Sequence, residues 1–329
     1  MFILLYVAGM SYISISGPYA EPDEPAPELI LSLEDLIPEG RRIDSEMTIT
    51  VLFGSEVRQM SMERYIMGVV PAEMPATFER EALKAQAVAA RTNALHSILI
   101  QPKSRHPQAN VCADFSCCTA FMTDAQLREA WGNDYNVFVL KIISTVVDTD
   151  GVYVSFANEP ILAVFHSSSP GMTEASENVW VDRLPYLRSV PSPETEADVP
   201  DYIYTVDIAG SDFISIIQNT FPDAGFSGGA DSWITDIELT ESGRIHELTA
   251  GGVVISGTTF RSLFDLRSTS ITFEAGEDSL SLTTTGFGHG VGMSQHGANV
   301  MASDGSTYRE IILAYYSNAV LREFNPASS

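Results

Sequence analysis

The chain has 329 residues, of which 18 are Lys or Arg and 43 are Asp or Glu, and its formal net charge is −25. This balance excludes nucleic acid as the default partner, because binding a phosphate backbone requires surplus positive charge on some face. The hydrophobic content of 45% suffices for a core, so the composition also excludes wholesale disorder.

The apolar N-terminal run of Met1 to Gly9 is shorter than the roughly 20 residues that span a bilayer. No basic residue precedes Arg41, although a secretory signal begins with a basic region. We interpret residues 1–16 as a partial membrane anchor or signal remnant, with a buried strand as the alternative. Residues 17–44 are predicted to be an acidic, Pro-rich linker.

The next segments predict a helical core. Residues 47–53 have the composition of a strand, and residues 62–70 are predicted to form a short helix that ends at Pro71. Residues 78–100 form the strongest helical pattern, in which alanine dominates the repeating positions. Such small side chains indicate close packing, so this segment is predicted to be the central helix.

Further along the chain, helices and strands alternate. A helix is predicted at 123–131, and a hairpin follows, with strands at 151–156 and 161–165 and a turn at 158–160. A Pro-rich acidic stretch at 190–200 precedes an inserted subdomain predicted at about 200–285. The final helix is predicted to begin with a capping box formed by Thr307 and Glu310. Together these elements predict an α+β fold over residues 45–325.

Charge is unevenly distributed along the chain. Residues 41–141 hold 11 acidic and 11 basic side chains, whereas residues 142–329 hold 25 acidic and 7 basic ones. An anionic partner meets the least repulsion at the balanced segment. We therefore expect the functional site to involve residues 41–141.

A single carboxylate, Glu73, lies between two prolines in the sequence Pro71-Ala-Glu-Met-Pro75. An apolar, rigid setting disfavours the ionised carboxylate and raises its pKa toward the range of a general acid. The same spacing fits a solvated turn residue. Glu73 is thus a candidate acid, and the turn residue is the alternative.

All three cysteines lie within seven residues, and a histidine precedes them: His106, Cys112, Cys117 and Cys118. An odd number of clustered cysteines favours a metal site over a disulfide framework. Four thiolate and imidazole ligands complete a tetrahedral zinc and leave no position open for water, so the predicted zinc site is structural. The alternative is that the thiols are small buried side chains and His106 caps a turn.

Glycine occupies every second position from Gly286 to Gly292. In extended backbone this pattern removes the side chains from one face, so that either a ligand or a neighbouring segment can approach. The first alternative makes His289 and Gln295 candidates for binding sugar hydroxyls, and the second makes the segment a core crossing. The run His166-Ser-Ser-Ser169 is interpreted as a polar loop that lines a site, because no strand-to-helix elbow supports a serine nucleophile.

Taken together, these segments resemble the stage II sporulation protein D family. The resemblance rests on residues 65–75 (YIMGVVPAEMP), 81–92 (EALKAQAVAART), 165–169 (FHSSS) with Thr173-Glu174, and 286–295 (GFGHGVGMSQ), and it extends over about residues 45–325. It implies lytic transglycosylase activity on peptidoglycan glycan strands, preferably strands stripped of stem peptides, during engulfment of the forespore.

Residue by residue, the resemblance implies that Glu73 is the catalytic acid and base. It also implies zinc ligation by His106, Cys112, Cys117 and Cys118, as in some clostridial-type members, in which a His stands at the position of Cys117. With the motifs above, it gives a set of substrate-binding residues: Arg91, His166, Ser167, Ser168, His289, Ser294 and Gln295. One carboxylate suffices, because the C6 hydroxyl of N-acetylmuramic acid attacks C1 itself, whereas ordinary glycosidases need two carboxylates.

The chain departs from the family pattern at two places. His296 stands where an aromatic residue is common, and Ser317-Asn318 replaces a common Pro-Gly. Neither departure involves Glu73.

The resemblance further implies partners and a location. The partners are stage II sporulation proteins P, an amidase, and M, a membrane scaffold, and the location is extracytoplasmic, anchored in the mother-cell membrane facing the forespore. Two other hypotheses stay open: a non-catalytic glycan-binding module that enhances an amidase, and a structural zinc protein of an envelope complex.

Overall fold

A computed structural model describes residues 36–38, 40 and 42–324. The predicted anchor or signal remnant at 1–16 and most of the predicted linker at 17–44 lie outside the described residues. Within the described ranges, no helix combines the length and the apolar character that crossing a membrane requires.

The first part of the described chain is rich in helix. Its elements are α1 (Ile43–Glu46), β1 (Thr48–Phe53), β2 (Glu56–Ser61), α2 (Met62–Glu73), α3 (Arg80–Leu99), β3 (Val111–Cys112), α4 (Asp124–Trp131), α5 (Tyr135–Val147), β4 (Val152–Phe156), β5 (Glu159–Pro160) and β6 (Phe165–His166). Strand β1 pairs antiparallel with β2 and parallel with β3. The second pairing fixes the start of the cysteine segment to the sheet.

The middle part is mainly antiparallel sheet. Its elements are β7 (Ile203–Ala209), α6 (Gly210–Thr220), β8 (Ile234–Leu239), β9 (Ile245–Ala250), β10 (Val253–Ser256), α7 (Gly257–Leu263), β11 (Ile271–Ala275) and β12 (Ser279–Thr285). They form two three-stranded sheets, in the strand orders β11-β12-β7 and β10-β9-β8.

The last part of the described chain pairs with strands of the first part. Its elements are β13 (Met293–Ser294), α8 (Gln295–Ser303), α9 (Tyr308–Tyr315) and β14 (Val320–Glu323). Strand β13 pairs parallel with β6, and β14 pairs antiparallel with β4. The mixture of helices and mainly antiparallel strands confirms the predicted α+β class. The capping box at Thr307 and Glu310 is also present at the start of α9.

Helix α3 lies at the centre of the larger hydrophobic core. Of its 20 residues, 14 are buried, and the helix packs against α2, α5, α8 and α9. Alanine side chains allow these helices to approach α3 closely, since interiors are packed at near-crystalline density. The central Ala-rich helix is therefore present as predicted.

A second hydrophobic cluster is built from residues between β7 and β12. Its centre is Phe213, whose ring lies 5.0 Å from that of Phe264 and 5.9 Å from that of Trp233, measured between centroids. Stacked rings of this kind add to the free energy of burial. The cluster falls within the segment predicted as an inserted subdomain, whose boundaries stay a prediction.

The prediction that a helix ends at Pro71 is wrong. Helix α2 continues to Glu73 with Pro71 inside its last turn. A proline there lacks an N–H group, but the turn is still closed, because the backbone N–H of Met74 donates to the carbonyl of Val70 at 2.9 Å. The consequence is that Glu73 stands at the end of a helix and not in a free turn.

The predicted hairpin is also corrected. Within the hairpin, strand β4 pairs with just the two residues of β5, and its other edge pairs with β14. The turn consists of Ala157 and Asn158, whose φ angles are 51° and 70°. Positive φ at both positions is typical of a two-residue turn matched to strand twist. Phe165 pairs instead with Met293 of β13.

Candidate functional site

Glu73, the last residue of α2, has a half-buried side chain. Its Oε1 accepts a hydrogen bond from the backbone N–H of Ala120 at 2.8 Å, and the carboxylate also accepts one from the side chain of Gln295. Burial raises the pKa of Glu73 above its ordinary value, and the two hydrogen bonds oppose this rise without cancelling it. The C-terminal end of a helix acts in the same direction as burial, because the helix dipole disfavours negative charge there.

The segment that carries Ala120 lies along α2. The hydroxyl groups of Tyr65 and Thr119 are 2.8 Å apart, and the backbone N–H of Met122 donates to the carbonyl of Gly68 at 2.9 Å. The ring of Phe121 fills the space that a side chain at residue 68 would need. Contacts on both sides therefore fix the Ala120 N–H against Glu73.

The four predicted metal ligands come together just before this segment. One donor atom from each of His106, Cys112, Cys117 and Cys118 lies within 4.8 Å of all the others. The Nδ1 of His106 lies 3.0 Å from the carbonyl of Ala109, and its Nε2 lies 3.3 Å from the Sγ of Cys118. If Nδ1 carries the proton and donates to that carbonyl, Nε2 faces the thiols as an acceptor, an arrangement typical of metal-binding histidines. The donor set and its spacing thus fit a tetrahedral metal ion.

The glycine-rich segment packs against β6 and the residues around it. Gly288 and Gly292 have φ angles of +113° and +75°, and a Cβ atom at Gly288 would lie 2.8 Å from the Cβ of His166. A Cβ atom at Gly292 would overlap the carbonyl oxygen of Val164. Of the two alternatives for these glycines, the structure supports the core crossing. The crossing places the ring of His289 5.7 Å from that of His166.

A buried carboxylate, Glu194, holds three segments together behind this crossing. It accepts hydrogen bonds from the backbone N–H of Ser169 at 2.6 Å, from the hydroxyl of Ser192 at 2.5 Å, and from the hydroxyl of Ser294. The next residue after Ser294 is Gln295, which contacts Glu73. Sequence reasoning missed Glu194, because it lies in the Pro-rich acidic stretch at 190–200, where no local pattern indicates burial.

A second buried carboxylate, Glu174, lies next to a buried guanidinium. Glu174 accepts hydrogen bonds from the hydroxyl of Thr240 at 2.7 Å and from that of Ser242 at 2.6 Å. Arg244 donates to the carbonyl of Met172 at 2.8 Å and to the hydroxyl of Ser169 at 3.3 Å. Burial lowers the pKa of Arg244, and the charge of Glu174 opposes that change. This pair links the loop after β6 to the loop between β8 and β9. Glu174 lies in a segment that carries the family resemblance, whereas sequence reasoning missed Arg244.

Comparison with known proteins identifies the family. A family model described as stage II sporulation protein matches residues 54–156. The stage II sporulation protein D of Bacillus subtilis strain 168 is 34% identical over 268 residues, which cover 81% of this chain and 76% of that protein. The chain belongs to the stage II sporulation protein D family.

Two further relatives have informative names. The stage II sporulation protein D of Bacillus amyloliquefaciens is 33% identical over 267 residues, which cover 81% of this chain and 76% of that protein. A Bacillus subtilis strain 168 protein named amidase enhancer is 25% identical over 308 residues, which cover 79% of this chain and 40% of that protein. The family predicted from the sequence motifs is therefore confirmed, and its members include proteins named for sporulation.

The structure places three of the predicted substrate-binding residues of this family member along one path. Gln295 contacts Glu73, and the backbone N–H of His296 donates to the carbonyl of Ser167 at 3.0 Å. His289, like Ser167, is half-buried. Burial lowers the pKa of His289 to about 4, so its ring is neutral at physiological pH.

Besides Gln295, which is 8% exposed, four other predicted substrate-binding residues are buried, namely Arg91, His166, Ser168 and Ser294. Direct substrate binding does not fit them. Arg91 forms an ion pair with Asp44 at 2.6 Å and donates to the carbonyl of Val152 at 2.9 Å, so its guanidinium is used inside the core. His166 lies between the carbonyl of Val291 and the hydroxyl of Ser169, at 3.1 and 2.6 Å. These residues are packed inside the protein and support the segments around the candidate site.

The departures from the family pattern also have a place in the structure. The ring of His296 packs against the ring of Phe78 with 5.0 Å between centroids, so it supplies an aromatic contact where family members commonly have an aromatic residue. Asn318 has a φ of +56°, a left-handed conformation that glycine adopts freely and asparagine tolerates. The common glycine is thus replaced by the residue type that best keeps its backbone conformation.

Proposed function

We propose that this chain is a lytic transglycosylase that cleaves the bond between N-acetylmuramic acid and N-acetylglucosamine in peptidoglycan glycan strands. The observation that carries the proposal is Glu73, a half-buried carboxyl group with a raised pKa. Within the described part of the chain, the groups that shift its pKa include no second carboxylate. A single acid suits a reaction in which the substrate supplies its own nucleophile, whereas hydrolysis by a glycosidase uses two carboxylates.

In the proposed reaction, Glu73 first donates its proton to the glycosidic oxygen as the bond to C1 breaks. The C6 hydroxyl of the muramic acid ring then attacks C1, and the Glu73 carboxylate takes up the hydroxyl proton. The products are a 1,6-anhydro ring and a free N-acetylglucosamine hydroxyl, and no water is consumed. The attack is intramolecular, so proximity lowers the barrier without a bound water.

Ala120 and Gln295 would orient the carboxyl group during this cycle. The Ala120 N–H donates to Oε1 at 2.8 Å, so this oxygen is held as an acceptor by the protein backbone. A raised pKa keeps a larger fraction of Glu73 protonated before the reaction, and the two hydrogen bonds stabilise the carboxylate once the proton has left. The same group can therefore act as acid and then as base.

We propose a structural zinc at His106, Cys112, Cys117 and Cys118. Bound zinc would supply a cross-link of the segment that ends two residues before Ala120. Protein purified without chelator should contain about one zinc per chain. A Cys117→Ser variant should lose zinc, whereas Ser116→Ala, a neighbouring change that leaves all four donors in place, should retain it. Less than about half an equivalent in the wild type would contradict the zinc site.

The substrate, the setting and the partners are part of the same proposal. The strands would be stripped of stem peptides, and the reaction would serve engulfment of the forespore, as the family resemblance implies. Stage II sporulation proteins P and M would act as the amidase and the membrane scaffold. Because peptidoglycan lies outside the cytoplasmic membrane, the proposed location is extracytoplasmic, with the N-terminal apolar run at 1–16 as the anchor to the mother-cell membrane.

A second candidate function is a glycan-binding module that stimulates an amidase without cleaving glycan itself. The name of the amidase enhancer relative supports this alternative. It predicts stimulation of an amidase that persists when Glu73 is replaced. The proposed enzyme predicts bond cleavage that depends on Glu73.

The deciding experiment is digestion of stripped glycan strands, with products identified by mass spectrometry. The wild type should release 1,6-anhydro products, and Glu73→Gln should reduce their rate of formation by about a thousandfold, as expected for loss of a general acid. Glu79→Gln is the matched control, because this nearby glutamate is exposed and should leave the rate unchanged. Equal rates for wild type and Glu73→Gln would refute the assignment.

A further inference from the structure

Trp180 is an exposed aromatic side chain that none of the roles above uses. Its relative exposure is 38%, and its neighbour Val181 is 96% exposed. An exposed indole offers a ligand both an apolar face and a polar N–H group. The question is which ligand the surroundings favour.

The loop that carries Trp180 is held in one conformation by Ser176. The backbone N–H of Trp180 donates to the carbonyl of Ser176 at 2.8 Å. The Ser176 hydroxyl donates to the carbonyl of Asp182 at 2.9 Å and accepts from the backbone N–H of Leu184 at 2.9 Å. Because the turn is fixed from both sides, binding at Trp180 would cost little ordering of the loop.

A continuous row of contacts joins Trp180 to the proposed acid. The ring of Trp180 lies 5.2 Å from the ring of His289, which lies 5.7 Å from the ring of His166. The residue after His166 is Ser167, whose carbonyl accepts from the N–H of the residue that follows Gln295. Gln295 in turn contacts Glu73. Trp180 is therefore connected to Glu73 through several side chains.

The aromatic pair formed by Trp180 and His289 favours an uncharged ligand. The ring of His289 is neutral at physiological pH, because burial and the nearby charges of Arg261 and Arg244 lower its pKa to about 4. The muramic acid residues of a glycan strand carry a carboxylate, but the N-acetylglucosamine residues between them carry no charge. Two uncharged rings offer no ion pair to the first and an apolar face to the second.

We propose that Trp180 forms a sugar-binding subsite at which its exposed ring stacks on the apolar face of an N-acetylglucosamine residue. This inference rests on the proposed function, because it requires a glycan strand in the site of Glu73. The subsite holds the strand at a distance from the bond that breaks. Its contribution should therefore be seen in the binding of long glycans more than in the chemical step.

The test measures binding by calorimetry on the full chain carrying Glu73→Gln, so that no substrate is consumed. The probes are β-1,4-linked N-acetylglucosamine hexamer and stripped glycan strands. Adding Trp180→Ala should weaken hexamer binding about tenfold, the size expected for loss of one aromatic stacking contact. Trp180→Tyr should restore much of the affinity. Val181→Ala is the matched control, since it removes an adjacent exposed apolar side chain from the same loop.

Several outcomes would overturn the subsite. Unchanged hexamer affinity in Trp180→Ala would do so, as would failure of the parent variant to bind either probe. If Trp180→Ala kept its glycan affinity but lost stimulation of an amidase, the ring would bind a protein and the subsite would be rejected. Binding through Trp180 by a chain whose wild type releases no anhydro product would instead refute only the proposed cleavage, so the two failures are distinguishable.

Discussion

Two carboxylates, Glu73 and Glu194, are connected through adjacent residues of the chain but have opposite surroundings. Ser294 donates to Glu194, and the next residue, Gln295, donates to Glu73. Glu194 is 2% exposed and accepts from three donors in three different segments. Glu73 is half-buried, accepts from two donors, and lies at the end of a helix where negative charge is disfavoured.

The difference shows how one fold can use the same side chain for structure and for chemistry. A buried carboxylate with all its hydrogen bonds made is costly to remove, because its donors would be left unsatisfied. A half-buried carboxylate with a raised pKa holds a proton that it can transfer to a ligand. We therefore expect substitution of Glu194 to lower mainly stability, and substitution of Glu73 to lower mainly activity.

The largest expected effect on stability is that of Glu194→Ala. The backbone N–H of Ser169 and the hydroxyls of Ser192 and Ser294 would lose their acceptor, and the free energy of unfolding should fall by about 3 kcal/mol. Urea denaturation measures the change. Glu196→Ala is the control, because this exposed glutamate lies in the same Pro-rich stretch and should change stability by less than about 0.5 kcal/mol. Equal stability of Glu194→Ala and Glu196→Ala would contradict the structural role of Glu194.

A smaller effect of opposite sign is expected for Glu73→Gln. The folded-state pKa of Glu73 lies above its unfolded value, so the group favours folding when protonated and this contribution is lost as pH rises through the folded-state pKa. At pH 7 the neutral glutamine should therefore raise the melting temperature, by about 2 °C.

The difference between Glu73→Gln and the wild type should shrink as the pH falls through the folded-state pKa of Glu73, and it should be lost below 4.5, the ordinary pKa of a glutamate side chain. Calorimetric melting temperatures at pH 7 and at an acidic pH below that value test the sign. A lower melting temperature for Glu73→Gln at pH 7 would mean that the carboxylate is stabilising and would argue against its role as an acid.

Sequence reasoning succeeded where the relevant residues are close together in the chain. The four side chains that lie close enough to hold a metal ion fall between His106 and Cys118. The burial of helix α3 is likewise predicted by the spacing of its own alanines. In both cases the residues that make the contact lie within one short segment, so their spacing in the sequence predicts it. Glu73 could be selected for the same reason, because its flanking prolines are visible in the sequence.

The remaining parts of the site depend on contacts between distant segments. The hydrogen bond of Ser294 to Glu194 spans 100 residues, and the ion pair of Arg91 with Asp44 spans 47. A sequence motif records that Arg91 and Ser294 are constrained, but it does not tell whether a ligand or a buried carboxylate constrains them. That ambiguity is why five of the seven residues assigned to the substrate were found buried inside the protein.

The smallest expected effect is a shift of the pH profile in Gln295→Ala. Gln295 stabilises the charged form of Glu73, so its removal should raise the pKa of Glu73 further and move the basic limb of kcat/KM to higher pH. Asn299→Ala, one turn further along α8, is the control and should leave the limb in place. If the basic limb of Gln295→Ala moved to lower pH instead, the hydrogen bond from Gln295 to Glu73 would be contradicted. If Glu194→Gln moves the limb in the same direction as Gln295→Ala, the buried carboxylate positions Gln295 through Ser294, and the structural and chemical carboxylates act as one unit.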